Sequence, residues 1–348
     1  MLKENIIQSN CTVKDALIKL NNLPTRDSLT LFVVNKENKL IGTLTDGDIR
    51  RSLINNLPVE SSIEKAMNKN FKFLKKGDYS LEQINIFKKN EIDLVPFIDE
   101  DGSIIKILDL SKITTYLPID AVLMAGGEGK RLKPLTDKTP KPLLKVGSKP
   151  ILEYNIDRLI SFGVYTIHLS INYLGDQIRE YFGNGSGKNI KVDYVEENEP
   201  YGTIGSVSII KKFNHEHVLV MNSDLLTNID FEDMFRFYTD NSADMAVACI
   251  PYQVSLPYGI VENNGIKVVG IKEKPTYTYY SNAGIYIIKR EMLQYIPEHK
   301  VFNATDLIEL LIAKGKTVVN YPVLCYWLDI GKHEDFLKAQ EDIKHLKF

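Results

Sequence analysis

The first third of the chain shows a hydrophobic pattern that occurs twice. One copy spans Leu29–Arg51 and the other Asp93–Ile113, and their apolar positions match at a constant offset of 64 residues. Each copy reads as an apolar strand, a polar turn, a second apolar strand and a polar segment opening a helix. Helical patterns precede the copies at Val13–Leu20 and Leu81–Phe87. Residues 1–116 are therefore predicted to form a small α+β module from two helix-strand-strand-helix units.

After a short linker at Thr114–Pro118, apolar runs alternate with amphipathic helices. The predicted strands are Ala121–Met124, Tyr165–Ile171, Lys191–Val195, His217–Met221 and Met245–Ile250. The predicted helices are Ile151–Ser161, Asp176–Phe182, Ile204–Lys212 and Phe231–Tyr238. This alternation predicts an α/β domain over residues 119–348, with a doubly wound, mostly parallel sheet that binds ligands at the carboxyl ends of its strands.

Composition narrows the class of protein. A chain of 348 residues with 44% hydrophobic and 25% charged residues is typical of a soluble two-domain protein. Its net charge of −2 gives no support to nucleic-acid binding. No apolar stretch approaches the roughly 20 residues of a membrane span, and the N-terminus lacks a signal-peptide pattern. Three scattered cysteines suit a reducing compartment, so we expect a cytoplasmic protein.

A glycine-rich segment follows the first strand of the second domain. It reads Leu123-Met124-Ala125-Gly126-Gly127-Glu128-Gly129-Lys130-Arg131, and a Pro-Lys-Pro centred on Lys141 follows. Glycines there let the backbone approach phosphates closely, and Arg131 and Lys141 supply positive charge. The spacing fits neither a Walker A loop nor a Rossmann fingerprint, which disfavours an NAD-dependent oxidoreductase.

With these residues the chain resembles nucleotidyltransferases that activate sugar 1-phosphates, from about Ile119 to the C-terminus. Five further segments agree in order, beginning at Gly202, Asn222, Glu273, Asn282 and Trp327. A chain that only senses nucleotides is disfavoured, because the charged residues of all these motifs are present.

The resemblance implies a role for each matched residue. Arg131 and Lys141 would bind the triphosphate, and Lys274 the sugar phosphate. Asp224 and Asp329 would hold Mg²⁺, which binds phosphate oxygens with one or two protein carboxylates. The remaining implied positions are Leu123, Ala125, Gly126, Gly127 and Gly202 for the nucleotide, and Glu273, Asn282 and Gly284 for the sugar.

The nucleotide base is predicted from Glu197. Relatives that use thymidine or uridine nucleotides commonly have a glutamine at this place. A carboxylate only accepts hydrogen bonds, and guanine offers two adjacent donors, so Glu197 favours GTP if it faces the base. A solvated loop position for Glu197 is the alternative, and UTP- or dTTP-dependent transfer stays open.

The repeated module resembles a pair of CBS domains, most specifically in Gly42–Asp48. The resemblance implies that Thr45 and Asp48 hold the ribose of an adenine nucleotide, although helix capping explains them equally well. The second copy has Asp109 and Lys112 at the matching positions, so at most one such site is expected. Self-association through this module would give a homodimer or homotetramer.

The order of the two domains resembles that of the guanylyltransferases that make GDP-glucosamine for bacterial legionaminic acid synthesis. This likeness favours glucosamine 1-phosphate as the sugar substrate. No residue pattern in the chain distinguishes an amino group from a hydroxyl at C2 of the sugar.

Overall fold

The computed structural model describes residues 3–24 and 29–346, and its chain divides into two compact units, Met1–Tyr116 and Leu117–Phe348. In the first unit the helices are α1 (Val13–Asn21), α2 (Asp46–Ile54) and α3 (Leu81–Lys89). Its strands are β1 (Ile6–Gln8), β2 (Thr30–Val34), β3 (Leu40–Thr45), β4 (Leu74–Lys75), β5 (Leu94–Ile98) and β6 (Ile104–Asp109).

The internal repeat is confirmed in the backbone. Each half forms a three-stranded sheet, with order β1-β2-β3 in the first and β4-β5-β6 in the second. Both antiparallel ladders shift register at the matching place, between Val33 and Val34 and between Phe97 and Ile98. Because a bulge re-aims every later side chain, this shared irregularity shows that the two copies have the same strand geometry.

The second copy departs from the prediction at its end. Helix α2 follows β3 directly, whereas residues 110–116 after β6 are not helical. Thr45 caps α2 by accepting a hydrogen bond from the Asp48 N–H. The carboxylate of the matching Asp109 instead accepts hydrogen bonds from Ser111 and forms an ion pair with Lys112. The expected helix-strand-strand-helix unit is therefore complete only in the first copy.

The second unit contains five helices and thirteen strands among its described residues. The helices are α4 (Ile151–Ser161), α5 (Gly175–Phe182), α6 (Phe231–Asp240), α7 (Ala304–Ala313) and α8 (His333–Asp342). The strands are β7 (Ile119–Met124), β8 (Lys145–Val146), β9 (Lys149–Pro150), β10 (Thr166–Ile171), β11 (Lys191–Glu196), β12 (His217–Asn222), β13 (Leu225–Thr227), β14 (Met245–Ser255), β15 (Ile260–Asn264), β16 (Lys267–Lys272), β17 (Thr276–Lys289), β18 (Val318–Pro322) and β19 (Trp327–Asp329).

Seven of these strands form the central sheet in the order β11-β10-β7-β12-β17-β14-β18. Strand β17 runs antiparallel to both of its neighbours, and the other pairings are parallel. The α/β fold with a mostly parallel sheet is confirmed. Strand β7 lies inside the sheet, so its carboxyl end opens between β10 and β12. The polar residues after these three strands therefore meet at one edge.

One predicted helix is wrong. Ile204–Lys212 carries apolar residues at helical spacing, but only Gly205–Ile209 forms a short 3₁₀ turn. The N–H groups of Ile204 and Gly205 both donate to the Phe302 carbonyl, which holds this segment against the chain ahead of α7. Ile204 and Val207 are buried in the core beneath the sheet, and the tertiary packing overrides the helical pattern.

Among residues 3–24 and 29–346, no helix combines the length and apolarity that spanning a bilayer requires.

Candidate active site

The glycine-rich loop starts where β7 ends. Ala125 donates its N–H to the Ser170 carbonyl at 2.8 Å, which ties the loop to the neighbouring strand β10. A Cβ at Gly126 would lie 3.2 Å from Asn172 Cβ and 3.3 Å from a carboxylate oxygen of Glu197. Gly127 has open space where its Cβ would be. The loop thus packs tightly against the sheet at Gly126 and leaves its next residue free for a ligand.

A cavity of about 520 Å³ opens over this loop. Such a volume lies within the range typical of small-molecule sites. Of the predicted nucleotide-binding residues, four line the cavity, and Leu123 and Ala125 are buried beneath it. The lining residues are Met124, Gly126, Gly127, Glu128, Gly129, Lys130, Asn172, Tyr173, Glu197, Pro200, Gly202, Thr203, Asn222 and Asp224.

The far wall of the cavity carries Gly202. Its φ is +80°, and a Cβ there would lie 2.6 Å from the Phe302 carbonyl oxygen. A side chain would therefore both strain the backbone and break the contact that holds the 200–205 segment in place. Thr203 adds to that contact, because its hydroxyl accepts the Ala304 N–H at 2.9 Å.

Glu197 is buried, so its expected alternative as a solvated loop residue is wrong. One carboxylate oxygen accepts a hydrogen bond from the Ser170 hydroxyl, and the other accepts the Tyr201 N–H at 3.1 Å. The Glu197 carbonyl accepts from Asn172 Nδ2 at 2.5 Å. A carboxylate has about four acceptor positions, so Glu197 retains capacity for a ligand in the cavity that it lines.

The charged centre consists of Lys141, Asp224 and Asp329. Lys141 is only 8% exposed and donates a hydrogen bond to Asp224, and its Nζ lies 4.0 Å from Asp329 Oδ1. Strands β13 and β19 bring the two aspartates together, because Leu225 pairs with Asp329 and the Ile330 N–H donates to the Asp224 carbonyl. Burial raises the pKa of Asp329, and the negative charge of Asp224 adds to that effect.

The two aspartates fit a divalent cation. The Oδ1 atoms of Asp224 and Asp329 are both buried without a hydrogen-bond partner in the described part of the chain. Unsatisfied carboxylate oxygens beside one another are unfavourable unless a cation or a donor group reaches them. Two carboxylates are also the donor set that leaves room for phosphate oxygens on a hard cation.

Three of the other predicted site residues lie near the aspartates or near the residues that line the cavity. Arg131 is exposed and its guanidinium lies beside Gly331, two residues after Asp329. Gly284 has a φ of +72° and packs against Asn222, which lines the cavity. Asn282 lies two residues earlier in the same strand, β17, and its Oδ1 accepts a hydrogen bond from the Gly284 N–H at 2.9 Å.

Glu273 and Lys274 do not line the cavity. They are exposed between β16 and β17, and Asn282 lies six positions after Thr276, roughly 20 Å along an extended strand. The predicted contact of Lys274 with the sugar phosphate stays a prediction.

In the first unit, Thr45 and Asp48 form a reciprocal capping box. The Thr45 hydroxyl accepts the Asp48 N–H at 3.1 Å, and the Asp48 carboxylate accepts the Thr45 N–H at 2.9 Å. Asp48 also pairs with Arg51 at 2.6 Å. Both side chains are thus engaged at the start of α2, which accounts for them without a ligand.

Three functional residues were missed in the sequence. Asn172 and Tyr173 line the cavity, and Ser170 orients Glu197. The Tyr173 hydroxyl also donates to the Thr136 carbonyl at 3.0 Å, which fixes the far end of the glycine-rich loop. For Asn172 and Tyr173 the position directly after β10 was the available signal, because polar residues at the carboxyl end of a central strand face the ligand, whereas Ser170 lies within the strand.

The glycine-rich loop and Asp224 line one cavity, and Lys141 and Asp329 lie beside Asp224. The family of nucleotidyl transferases matches residues 120–345, and the CBS domain family matches residues 2–55. The chain therefore belongs to the nucleotidyl transferase family and carries a CBS domain in its first unit.

Two relatives are similar over the second unit. Mannose-1-phosphate guanylyltransferase of Mycobacterium tuberculosis is 30% identical over 231 residues, covering 65% of this chain and 64% of the relative. The D-glycero-α-D-manno-heptose 1-phosphate guanylyltransferase of Aneurinibacillus thermoaerophilus is 30% identical over 230 residues, covering 65% of this chain and 99% of the relative. The chain thus spans less than two thirds of the first relative and nearly all of the second.

A solved structure supports the fold. A Bacillus anthracis protein described as a glucose-1-phosphate thymidylyltransferase superposes with a TM-score of 0.54 and 22% identity, covering 66% of this chain and 97% of that one. At this identity the likeness concerns the fold alone.

Proposed function

We propose that this protein is a sugar-1-phosphate guanylyltransferase, which transfers GMP from GTP to a sugar 1-phosphate and releases pyrophosphate. The observation that carries the proposal is the cluster of Lys141, Asp224 and Asp329 beside a cavity lined by a glycine-rich loop. The similarity to two guanylyltransferases supports the class of reaction.

The reaction joins two polyanions. An oxygen of the sugar phosphate attacks the α-phosphorus of GTP, the new P–O bond forms, and the bond to pyrophosphate breaks in line. Little proton transfer is needed, so catalysis rests on positioning and on neutralising negative charge. Lys141 and Arg131 supply positive charge near the phosphates, and the backbone N–H groups around Gly126 and Gly127 are positioned for phosphate oxygens.

Asp224 and Asp329 would hold Mg²⁺, which supplies neutralisation of the phosphate charge. Their unpartnered Oδ1 atoms support this assignment. In the absence of the cation, the Lys141 ammonium partly offsets their mutual repulsion, since it contacts Asp224 directly. The chain's own contribution is to hold the two carboxylates at fixed positions through the β13–β19 pairing.

The choice of guanine rests on Glu197. Its buried carboxylate lines the cavity and is already oriented by Ser170 and Tyr201. A carboxylate held in this way suits the two adjacent N–H donors of guanine, whereas a uracil carbonyl facing it would leave polar groups unpaired, at about 1–3 kcal/mol.

Two similarities to known proteins bear on the choice of the sugar substrate. The order of the domains favours glucosamine 1-phosphate, and the printed names of the relatives favour a manno-configured sugar such as mannose 1-phosphate. These acceptors are distinguished by direct comparison, not by any residue contact in the described cavity.

A pyrophosphate-release assay tests the proposal. GTP, UTP, dTTP, CTP and ATP are each combined with the 1-phosphates of glucosamine, mannose, glucose and N-acetylglucosamine in the presence of Mg²⁺. Turnover with GTP and one sugar phosphate is expected. Preference for UTP or dTTP would overturn the assignment of the base while keeping the class, and folded protein that turns over no pair would overturn the proposal.

The metal assignment has a readout besides activity. Binding of Mn²⁺, measured by electron paramagnetic resonance, is expected to weaken strongly in Asp224→Asn and in Asp329→Asn. Asp101→Asn serves as the control, because Asp101 is an exposed turn residue of the first unit. Unchanged Mn²⁺ binding in both site variants would contradict the assignment.

A further inference from the structure

One wall of the active-site cavity is a short irregular stretch, residues 201–205, which we call the wall segment. It consists of turns and the start of a 3₁₀ turn. Gly202 and Thr203 line the cavity. Tyr201 is buried and donates its N–H to the Glu197 carboxylate at 3.1 Å. The position of the wall segment therefore helps to fix the carboxylate that we assign to the base.

The wall segment reaches Glu197 from a second side through Ser206, the residue that follows it. Ser206 is fully buried, and its Oγ lies 2.8 Å from the Oγ of Ser170. The Ser170 hydroxyl in turn donates to the Glu197 carboxylate. Both carboxylate oxygens of Glu197 are therefore bonded to groups that depend on the placement of residues 201–206.

Residues 302–304, which we call the anchor segment, hold the wall segment by backbone hydrogen bonds. The Phe302 N–H donates to the Tyr201 carbonyl at 2.9 Å. The Phe302 carbonyl accepts the N–H groups of Ile204 at 3.2 Å and Gly205 at 3.1 Å. Both polar groups of the Phe302 backbone are thus used to join the two segments.

Two side chains complete the same junction. Asn303 Oδ1 accepts the Thr203 N–H at 3.3 Å, and the Thr203 hydroxyl accepts the Ala304 N–H at 2.9 Å. The contact is reciprocal, because each segment donates one backbone N–H and accepts one with a side chain. Unlike the bonds of Phe302, these two depend on which residues stand at positions 203 and 303.

The anchor segment is itself fixed to the core. Phe302 packs against the hydrophobic cluster in which Ala304 and Leu307 of α7 are buried. The Asp306 carboxylate accepts the Asn303 N–H at 2.7 Å, which holds the Asn303 backbone at the start of α7. The wall segment is therefore positioned from the start of a packed helix, although it has little regular structure of its own.

We propose that Asn303 is a positioning residue for recognition of the nucleotide base, a role that rests on the proposed binding of the base by Glu197. Asn303 is not one of the residues that line the cavity in the described chain. It acts by holding Thr203, so that the wall segment keeps the Glu197 carboxylate in one place. Hydrogen bonds weaken steeply outside their preferred distance and angle, so a carboxylate that shifts would discriminate less well between bases.

The test measures the affinities of the full chain for GTP and for UTP by calorimetry, with Mg²⁺ and no sugar phosphate. The result then does not depend on the identity of the sugar. In Asn303→Ala we expect the ratio of the GTP affinity to the UTP affinity to fall by about threefold or more, within the range found for residues that act through a network of contacts. Asn303→Asp keeps an oxygen acceptor for the Thr203 N–H and should retain most of the wild-type ratio.

The matched control is Asp230→Ala. Asp230 caps the start of α6 by accepting the N–H groups of Glu232 and Asp233, and it does not line the cavity. Its substitution should shift the midpoint of urea unfolding, as Asn303→Ala does, but leave the ratio of nucleotide affinities unchanged. An unchanged ratio in Asn303→Ala as well would overturn the proposal.

A double variant shows whether Asn303 acts through Glu197. When Asn303→Ala is added to Glu197→Gln, the ratio should stay at the value of Glu197→Gln alone, because the carboxylate that Asn303 positions is already absent. A further fall of about threefold would mean that Asn303 acts on the nucleotide by another route, and it would overturn the proposal.

The junction is also tested from the other side, which keeps the proposal falsifiable if Asn303→Ala does not fold. Thr203→Val removes the hydroxyl that accepts the Ala304 N–H, and Thr203→Ser keeps it. The ratio should fall in the valine variant and be retained in the serine variant. Equal ratios in the two variants would overturn the proposal.

Failure of the proposed recognition of guanine has a different signature. If the wild type prefers UTP, or if Glu197→Gln keeps the wild-type ratio, the assignment of the base to Glu197 is wrong, and the role of Asn303 is overturned with it. If Glu197→Gln lowers the ratio and Asn303→Ala does not, only the role of Asn303 is overturned.

Discussion

Lys141 donates a hydrogen bond to Asp224, although 83 residues separate them in the chain. The lysine is 8% exposed, and the same ammonium lies 4.0 Å from Asp329. One buried cation is therefore shared by the two carboxylates that we assign to the metal. The positions of all three groups are mutually dependent.

Replacing Lys141 by methionine keeps most of the volume and removes the charge. We expect kcat/KM for GTP to fall by about 100-fold to 1,000-fold, which is the loss typical when one preorganised charge-stabilising donor is removed. Steady-state pyrophosphate release measures it. Lys145→Met is the control, because Lys145 is an exposed residue of β8. A fall of less than threefold, about 0.7 kcal/mol, would contradict a role in charge neutralisation.

Glu197→Gln tests the choice of base. The amide would keep one acceptor and place an NH₂ group towards the Ser170 hydroxyl or the Tyr201 N–H, and it would lose the paired acceptors proposed for guanine. We expect the ratio of kcat/KM for GTP to that for UTP to fall by about tenfold or more.

The neighbouring Glu196→Gln provides the matched control for this substitution. Glu196 is exposed and its carboxylate pairs with Arg179 outside the cavity above the loop. Its substitution should leave the GTP to UTP ratio unchanged. If both variants kept the wild-type ratio, the base would be recognised by other groups.

Gly284 is predicted to tolerate no side chain. An alanine Cβ there would lie 2.6 Å from the Asn222 amide nitrogen, and φ is +72°. Gly315 has nearly the same φ, +70°, and open space around its Cβ position. Gly315→Ala should therefore lower the free energy of unfolding by about 1 kcal/mol from the backbone alone.

Gly284→Ala should lower that free energy by about 1–3 kcal/mol more than Gly315→Ala, because the overpacked contact adds to the backbone strain. It should also reduce turnover, since Asn222 lines the active-site cavity. Urea unfolding and the release assay measure the two effects. Equal destabilisation in both variants would mean that Asn222 moves aside freely.

Much of the fold could be predicted because the relevant signals are local. The strand at Lys191 and the helix at Ile151 begin at the predicted residues, since β-branched runs and amphipathic spacing act within one element. The long antiparallel strand β17 was not predicted. Its first half carries the exposed Tyr279 and Tyr280 and pairs with the outer half of β14, which is a non-local pairing.

Part of the active site could likewise be predicted from the sequence, and part of it could not. The glycine-rich loop and the aspartates lie in contiguous motifs that the sequence displays. The bond from the Ser170 hydroxyl to Glu197 joins β10 to the residue that follows the adjacent parallel strand β11, and a single serine in an apolar strand gives no pattern of its own. The Lys141–Asp224 pair likewise exists only because the chain returns to the same sheet edge.

Asp120 gives the clearest expected dependence of stability on pH. It is fully buried in β7 and accepts hydrogen bonds from the His215 ring at 3.0 Å and from the N–H groups of Asn214 and His215. Burial alone would favour the neutral acid, but these hydrogen bonds outweigh it and hold the pKa of Asp120 below its usual value. A group whose pKa is depressed on folding binds fewer protons in the folded state than in the unfolded state. Its contribution is therefore complete above the unfolded pKa, about 3.9, and is lost as the pH falls through the lower folded value.

Asp120→Asn should consequently lower the free energy of unfolding at pH 7 by about 1–3 kcal/mol, because the N–H groups of Asn214 and His215 lose a charged acceptor. The difference from the wild type should narrow as the pH falls from the unfolded pKa, about 3.9, towards the lower folded pKa, at which the wild-type carboxylate in the folded protein becomes protonated. Urea unfolding at a series of pH values measures this narrowing, and Asp101→Asn, at an exposed turn, should run parallel to the wild type. A constant difference between Asp120→Asn and the wild type down to pH 3 would show that the buried carboxylate acts through its shape and not through its charge.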